Sequence, residues 1–511
     1  MRLADLVATS NAVGATRSRN EKTELLADLL RGADADELLI AVAWLSGEPR
    51  QDRLEVGWAA LRDTEVDGAT EATLTITEVD AAFEEIAAAS GEGSREQRLD
   101  LLQDLLSRAT RDEQDFLAHL VMRELRQGAN AGVMQNAIAA AFEVPLSTVR
   151  RAAMLSGDLS AVATAAATGG EDELAAFRLE LFRPVEPMLA ATAGSVTDAL
   201  DGLDAATIEA KLDGARVQVH RDGDEVRVFT RNLRDVTAQV PEIAERVRDY
   251  PPSGLVMDGE AIALGEDGRP EPFQVTMARF STEAGDEGPP LAVRFFDVLR
   301  VGDDELIDLP LSDRLGVLEE AVPDEDRIGR ITTTSVEDAE TFVAATLDAG
   351  HEGVMVKDLA SAYAAGRRGA AWRKVKPVHT LDLVILAAEW GSGRRTGWLS
   401  NLHLGAYDPD EDDFVMLGKT FKGLTDEMLT WQTERFLELE ERRARNVVHL
   451  RPDVVAEIAF DGVQSSPRYP GGLALRFARV KGYRPDKDPT DADTIDTVRA
   501  IHRGEIRPDL T

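Results

Sequence analysis

The run from Thr207 to Arg221 alternates apolar and polar side chains, and Asp222-Gly223 separates it from a second alternating run, Glu225 to Thr230. Two such runs about an Asp-Gly pair read as a β-hairpin. Strand side chains change face at every residue. Ile208, Ala210 and Leu212 are therefore expected on a buried face and Glu209 and Lys211 on the other, with Asp213 and Gly214 at the turning end. A lysine held beside a carboxylate, next to a tight glycine turn, is a candidate covalent nucleophile. The plainer alternative is a surface strand carrying a Glu–Lys pair. Other stretches, in a fixed order, decide between them.

Lysine usage is the first of these signals. The chain holds nine lysines, Lys22, Lys211, Lys357, Lys374, Lys376, Lys419, Lys422, Lys481 and Lys487, among 57 basic residues, so arginine supplies the rest. A surface that avoids lysine keeps it where chemistry needs an amine. The balance is strongly acidic: 93 Asp+Glu against 57 Lys+Arg give a formal net charge of -36. The acids are dispersed among periodic apolar residues, which argues against a disordered acidic chain. A folded protein from a very salty cytoplasm is the expectation, because in about 1 M salt the Debye length is only roughly 3 Å. With no cysteine, disulfides and thiolate-bound metals are excluded. The first residues lack an apolar signal core and no apolar run is long enough to span a membrane. A soluble, cytoplasmic protein without a membrane partner is expected.

Three regions and a tail follow from the pattern. Residues 1–185 read as helical, with apolar residues at three- and four-residue spacing in Glu24 to Leu30, Leu38 to Leu45, Leu99 to Leu106, Asp115 to Leu125 and Val133 to Phe142. Arginines recur there at Arg108, Arg111, Arg123, Arg126, Arg150 and Arg151, which could bind phosphates or pair with nearby acids. Residues 195–377 alternate short strands with helices, as in an α+β domain, and residues 380–487 are strand-rich with one helix near Asp426 to Arg443. A five-stranded barrel of the OB type fits the last region. Residues 488–511 hold an amphipathic helix with Ile495, Val498 and Ile501 on one face.

Five stretches follow the lysine. They are Thr230-Arg231-Asn232-Leu233, Leu255 to Glu260, Arg294 to Leu299, Glu352 to Lys357, and Ala371 to Lys376. Each alone reads as a strand or turn with solvated ends; their order and spacing together do not. The set resembles the covalent nucleotidyltransferases, and most closely the ATP-dependent DNA ligases of archaea and eukaryotes. Lys211-Leu-Asp-Gly-Ala-Arg216 is similar to their motif I, Met257-Asp-Gly-Glu260 to motif III and Phe296-Asp-Val-Leu to IIIa. Glu352-Gly-Val-Met-Val-Lys357 is similar to IV and Trp372-Arg-Lys-Val-Lys376 to V. Leu475-Arg476-Phe477-Ala478-Arg479 resembles motif VI, with Ala478 where the family usually has proline. Both flanks resemble the family too, from Leu125-Arg126-Gln127-Gly128 to Arg183-Pro-Val-Glu-Pro-Met-Leu189, and from Ser466-Pro-Arg-Tyr469 to Lys487.

The resemblance implies an all-α DNA-binding domain, an adenylation domain and an OB-fold domain. It also implies three steps: Lys211 takes AMP from ATP, AMP passes to the 5′-phosphate of a nick in double-stranded DNA, and the 3′-hydroxyl then seals the strand. ATP contacts fall to Glu209, Arg216, Arg231, Glu260, Phe296, Arg368 and Lys374. Phe296 would stack on adenine and Glu209 would read its amino edge. Lys376, Arg476 and Arg479 would meet phosphates or DNA, and Glu260 and Glu352 would hold Mg2+. A free lysine amine is protonated near neutrality, so the cations Lys374, Lys376, Arg216 and a metal ion would make the nucleophile. An RNA ligase or capping-type enzyme shares the lysine motif but not the long helical region. A non-catalytic DNA-binding scaffold would have lost at least one of these groups. A monomer is expected; a sliding-clamp partner stays open, since the loop Asp63 to Thr75 has no glutamine-plus-aromatics box and Gln114-Asp-Phe-Leu lacks the terminal aromatic pair.

Overall fold

The computed structural model describes residues 1–506 apart from 52, 65, 92, 126, 282–288 and 366–367. Arg126 thus lies outside the described residues. Among them, the N-terminal region is all helix. The periodic segments become Arg19–Arg31, Ala35–Leu45, Ser94–Arg108, Arg111–Val121 and Ala131–Ala141. Asp34, Thr75 and Thr110 close capping boxes on glutamates three residues on, which fixes three helix starts. The last helix, Leu159–Ala175, kinks at Gly169-Gly170, with Gly170 at φ 61. One continuous core built on Leu6, Leu30, Trp44, Phe83, Leu117 and Ile138 holds the region together. Three of the recurring arginines have acidic partners. Arg151 donates to Asp308 (2.7 Å) and to the Phe177 carbonyl, tying this region to the middle one, while Arg108 and Arg111 pair with Glu78 and Asp115. Gln114 and Phe116 are buried in their helix, so the Gln114-Asp-Phe-Leu segment is not a surface docking box.

The middle region begins earlier than residue 195. Strand β1 (Leu189–Ala193), an alanine-rich stretch with too little contrast to show alternation, pairs in parallel with the strand Arg368–Val375. The strands in chain order are β2 (Ala206–Lys211), β3 (Ala215–Asp222), β4 (Glu225–Thr230), β5 (Leu255–Ala263), β6 (Leu291–Val301), β7 (Asp304–Glu305), β8 (Arg330–Thr332), β9 (Gly353–Asp358) and β10 (Arg368–Val375). They form two five-stranded sheets, β1-β10-β9-β2-β8 and β4-β3-β5-β6-β7. The run Thr207 to Arg221 is therefore two strands in different sheets. It breaks at Leu212-Asp213-Gly214 because a side chain at Gly214 would sit 2.4 Å from the Ala261 carbonyl; only glycine lets the chain cross so close to β5. Lys211 ends the first sheet at that crossing. Between the sheets lies a core of Ala210, Leu212, Ile262, Phe296, Leu299, Tyr363 and Trp372, which Leu155 of the helical region also joins. Glu209 does not face solvent: β2 is covered on both sides.

The C-terminal region has more strands than the expected five. They are β11 (His379–Trp390), β12 (Leu399–Asp408), β13 (Asp413–Thr420), β14 (Glu440–Ala444), β15 (Val447–Leu450), β16 (Val455–Phe460), β17 (Gly462–Ser465), β18 (Leu473–Arg476) and β19 (Arg479–Tyr483). Seven form one curved sheet and β17-β18 form a hairpin beside it. The helix stops at Glu438 rather than Arg443, and Glu440–Ala444 turns back as a strand. The C-terminal helix Ile495–His502 is part of this unit, since Ile495, Val498 and Ile501 fill its core. No helix among the described residues is long and apolar enough to cross a membrane.

Candidate active site

A cavity of about 240 Å³ opens where the two sheets of the middle region meet. Glu209 and Lys211 reach it from β2, Arg216 from β3, Arg231 from the turn after β4, and Glu260 from the middle of β5. Phe296 comes from β6, Lys357 from β9, and Trp372 and Lys374 from β10. Of the expected ATP contacts, all but Arg368 line it. Arg368 starts β10, paired in register with Leu189; its side chain and Arg367 lie outside the described residues.

The ion pairs order this space. Lys211 Nζ contacts Glu352 Oε2, and Lys376 Nζ contacts the other oxygen of the same carboxylate. Gly353, at φ 147, lets Glu352 approach: a side chain there would meet the Val375 carbonyl at 2.3 Å. Lys376 also donates to Asp461 of the C-terminal region at 2.7 Å. It stands just past β10 and outside the cavity, its amine drawn downward in pKa by burial. Arg476, at the end of β18, donates to Asp213 beside Lys211 at 2.7 and 3.3 Å. Arg479 lies 3.6 Å from Asp461 and is half exposed. The C-terminal region is thus already docked over the lysine, through residues expected to meet phosphates or DNA.

Deeper groups hold the walls. The Arg216 guanidinium donates to Asp258 (2.6 Å), the Met188 carbonyl (2.6 Å) and the Tyr363 hydroxyl (3.2 Å), and lies over the Phe296 ring. Burial alone would raise Asp258; Arg216, Tyr363 and Gln218 outweigh it and keep its carboxyl below the usual range. Burial pushes the Glu260 carboxyl up to about 7, against the pull of Lys211 and Arg216. Glu209 and Lys357 pair at 2.5 Å with both side chains 2% exposed; burial raises the one and lowers the other. Phe296 and Trp372 meet edge to face at 6.0 Å, an apolar seat for a flat ring.

Two carboxylates, Glu260 and Glu352, act on Lys211. Among the described residues no cluster of three or more metal-ligating side chains exists. Two carboxylates fit a hard divalent ion that takes the rest of its shell from water and phosphate, and they do not fit a fully protein-caged one.

Sequence reasoning missed Tyr363 and Asp461, whose partners come from distant segments; Asp258 and Asp213 stand inside recognised stretches, but their roles appear only when Arg216 and Arg476 reach them from other strands. Lys357 and Trp372 carried a signal: the first is one of nine lysines, the second stands inside a recognised stretch.

Comparison with known proteins agrees with this geometry. Residues 187–376 match the family model described as "ATP dependent DNA ligase domain", residues 395–487 the "ATP dependent DNA ligase C terminal region" and residues 59–139 the "DNA ligase N terminus". A "Probable DNA ligase" of Anaeromyxobacter sp. (strain Fw109-5) is 56% identical over 99% of both chains. One of Mycolicibacterium gilvum (strain PYR-GCK) is 55% identical over 98% of this chain and 99% of its own. The solved structure "Pmar-Lig_PreS3" shares the fold, with a TM-score of 0.61 at 16% identity over 94% of this chain and 99% of that one. With a helical N-terminal domain, a nucleotidyltransferase domain and an OB-like half-barrel, the chain belongs to the ATP-dependent DNA ligase family.

Proposed function

We propose that this DNA ligase works through a covalent AMP on Lys211, which then passes to the 5′-phosphate of a nick in double-stranded DNA before the 3′-hydroxyl displaces it. The observation that carries the reading is Lys211 at the mouth of an aromatic-walled cavity, within reach of Glu352 and beside Lys374. In the first step the deprotonated Nζ bonds to the α-phosphorus, the bond to the bridging oxygen breaks, and pyrophosphate leaves. Such transfers depend on positioning and charge neutralisation. Phe296 and Trp372 seat the adenine, and Glu209 accepts from its amino group. Lys374 and the exposed Arg231 meet phosphate oxygens, and Arg368 is assigned the same role from its offset to Lys374. Arg216 is held by Asp258 and shapes the sugar side of the cavity.

Lys376 is released to phosphate when a nucleotide displaces it from Glu352. Arg476 and Arg479 orient the leaving pyrophosphate while the domains are closed. Glu260 and Glu352 would hold Mg2+, which neutralises phosphate charge when bound. The helical domain grips the duplex. A monomer acting in the cytoplasm in replication, repair and recombination fits this reading, and a sliding clamp stays an open partner. The test is labelled ATP with Mg2+. Wild type should carry an acid-labile, alkali-stable label and Lys211→Arg none, because arginine is not deprotonated in this range. Labelling of that variant at the wild-type level would sink the assignment.

A further inference from the structure

Lys357 is the amine of the cavity that the three-step chemistry does not use. Its side chain is 2% exposed, its Nζ lies 4.4 and 4.2 Å from the Phe296 and Trp372 ring centres, and it donates to the Phe296 carbonyl at 3.4 Å. An ammonium this deep is costly unless it is paired and oriented. Its partner is Glu209 Oε2 at 2.5 Å. The other oxygen, Glu209 Oε1, is buried without any hydrogen-bond partner, on a residue that walls the cavity. An orphaned buried acceptor calls for a donor brought by a ligand.

We propose that Lys357 is a positioning residue that fixes Glu209 Oε1 as a pure acceptor and thereby makes the site select a 6-amino purine over a 6-oxo purine; this rests on the adenylylation reading above. Oε1 is an acceptor wherever the pair keeps its proton. On the amine or on the carboxyl, that proton lies between Nζ and Oε2, and Oε1 remains an acceptor. Adenine offers a donor at position 6, whereas guanine and hypoxanthine offer an oxygen. An acceptor facing an acceptor leaves both buried groups unpaired. Remove Lys357, and the buried carboxyl takes up a proton that is free to sit on Oε1, turning it into a donor that a 6-oxo purine matches.

The experiment measures covalent labelling from α-labelled ATP and ITP on one preparation, so the ratio is independent of the folded fraction. Hypoxanthine has no 2-amino group, which removes a steric explanation. Wild type should prefer ATP. Lys357→Met should narrow the ATP-to-ITP preference by about tenfold or more, as expected for one buried hydrogen-bond match lost. Lys357→Arg should restore most of it. Lys357→Gln, which keeps a neutral donor, should fall between and serves if the Met variant does not fold. An unchanged ratio in the Met or Gln variant overturns the proposal. If Glu209→Gln shifts the ratio while Lys357→Met does not, Lys357 is only structural and the cavity assignment survives. If wild type takes no label from ATP at all, the adenylylation reading itself fails.

Discussion

Arg476→Ala should slow the reaction with ATP far more than the sealing of a nick that already carries AMP. The guanidinium reaches across the domain boundary to both oxygens of Asp213, at 2.7 and 3.3 Å, and stacks 5.4 Å from the Phe273 ring centre. The two side chains are 22% and 27% exposed, so the pair is neither a surface bridge nor a fully dry one. Exposed pairs contribute about 0.2–1 kcal/mol and charge-assisted hydrogen bonds about 1.5–3 kcal/mol. A forked, partly screened contact therefore stabilises the docked C-terminal domain by roughly 1–2 kcal/mol, or about 5- to 30-fold in the closed-to-open ratio. The other strut, Lys376 to Asp461 at 2.7 Å, stays in place. Single-turnover self-adenylylation should fall by that factor, while sealing of a pre-adenylylated nick changes by less than about twofold. Arg476→Lys should recover part of the loss, since it keeps charge but not the fork. Equal slowing of both reactions, or no change in either, would refute closure through this contact.

Other outcomes follow from buried charge. Glu260 titrates near 7 in the fold against 4.5 as a free side chain, so the native state holds the extra proton between those values. Stability should then decline as pH rises from 4.5 to about 7 and level off above; Glu260→Gln should flatten that part of the melting-temperature profile, and an unaltered slope would count against the burial argument. Asp297 and Arg314 are both fully buried and joined at 2.8 and 3.0 Å. Asp297→Ala should cost the middle domain roughly 3–5 kcal/mol by leaving the buried guanidinium with only the Leu309 and Ser361 carbonyls and no counter-charge, measured by denaturant melts, and a loss under about 1 kcal/mol would show that the carbonyls suffice. With a net charge of -36, both melting temperature and nick sealing should hold or rise between low salt and molar KCl. Activity confined to low salt, with a constant melting temperature, would remove the salty-cytoplasm reading and leave the ligase assignment intact.

Where side-chain period and element agree, the fold could be read from residues alone. The helices around Leu38 to Leu45 and Val133 to Phe142 and the hairpin about Asp222-Gly223 are of this kind. Errors arose where the signal is not in the period. Alanine-rich β1 has no contrast, and the charged stretch Glu440–Ala444 favours helix locally but is taken by pairing with β15. The crossing between sheets at Gly214 is set by the Ala261 carbonyl, a contact with a residue from another strand.

The same division runs through the site. Lys211, Arg216, Glu260, Phe296 and Lys374 stand in short recognisable stretches, because each side chain answers to a fixed backbone position near the cavity. The groups that orient them answer to space instead. Asp258 meets Arg216 through the pairing of β3 with β5, Tyr363 reaches both from a loop, and Asp461 arrives on another domain. Lys357 belongs to both classes. Its rarity marks it in the sequence, but its task is visible only once β9 pairs with β2 and sets its buried amine against Glu209. An acidic chain that keeps so few lysines lets three of them line one cavity, and two of these, Lys211 and Lys357, are opposed there by the carboxylates of Glu352 and Glu209.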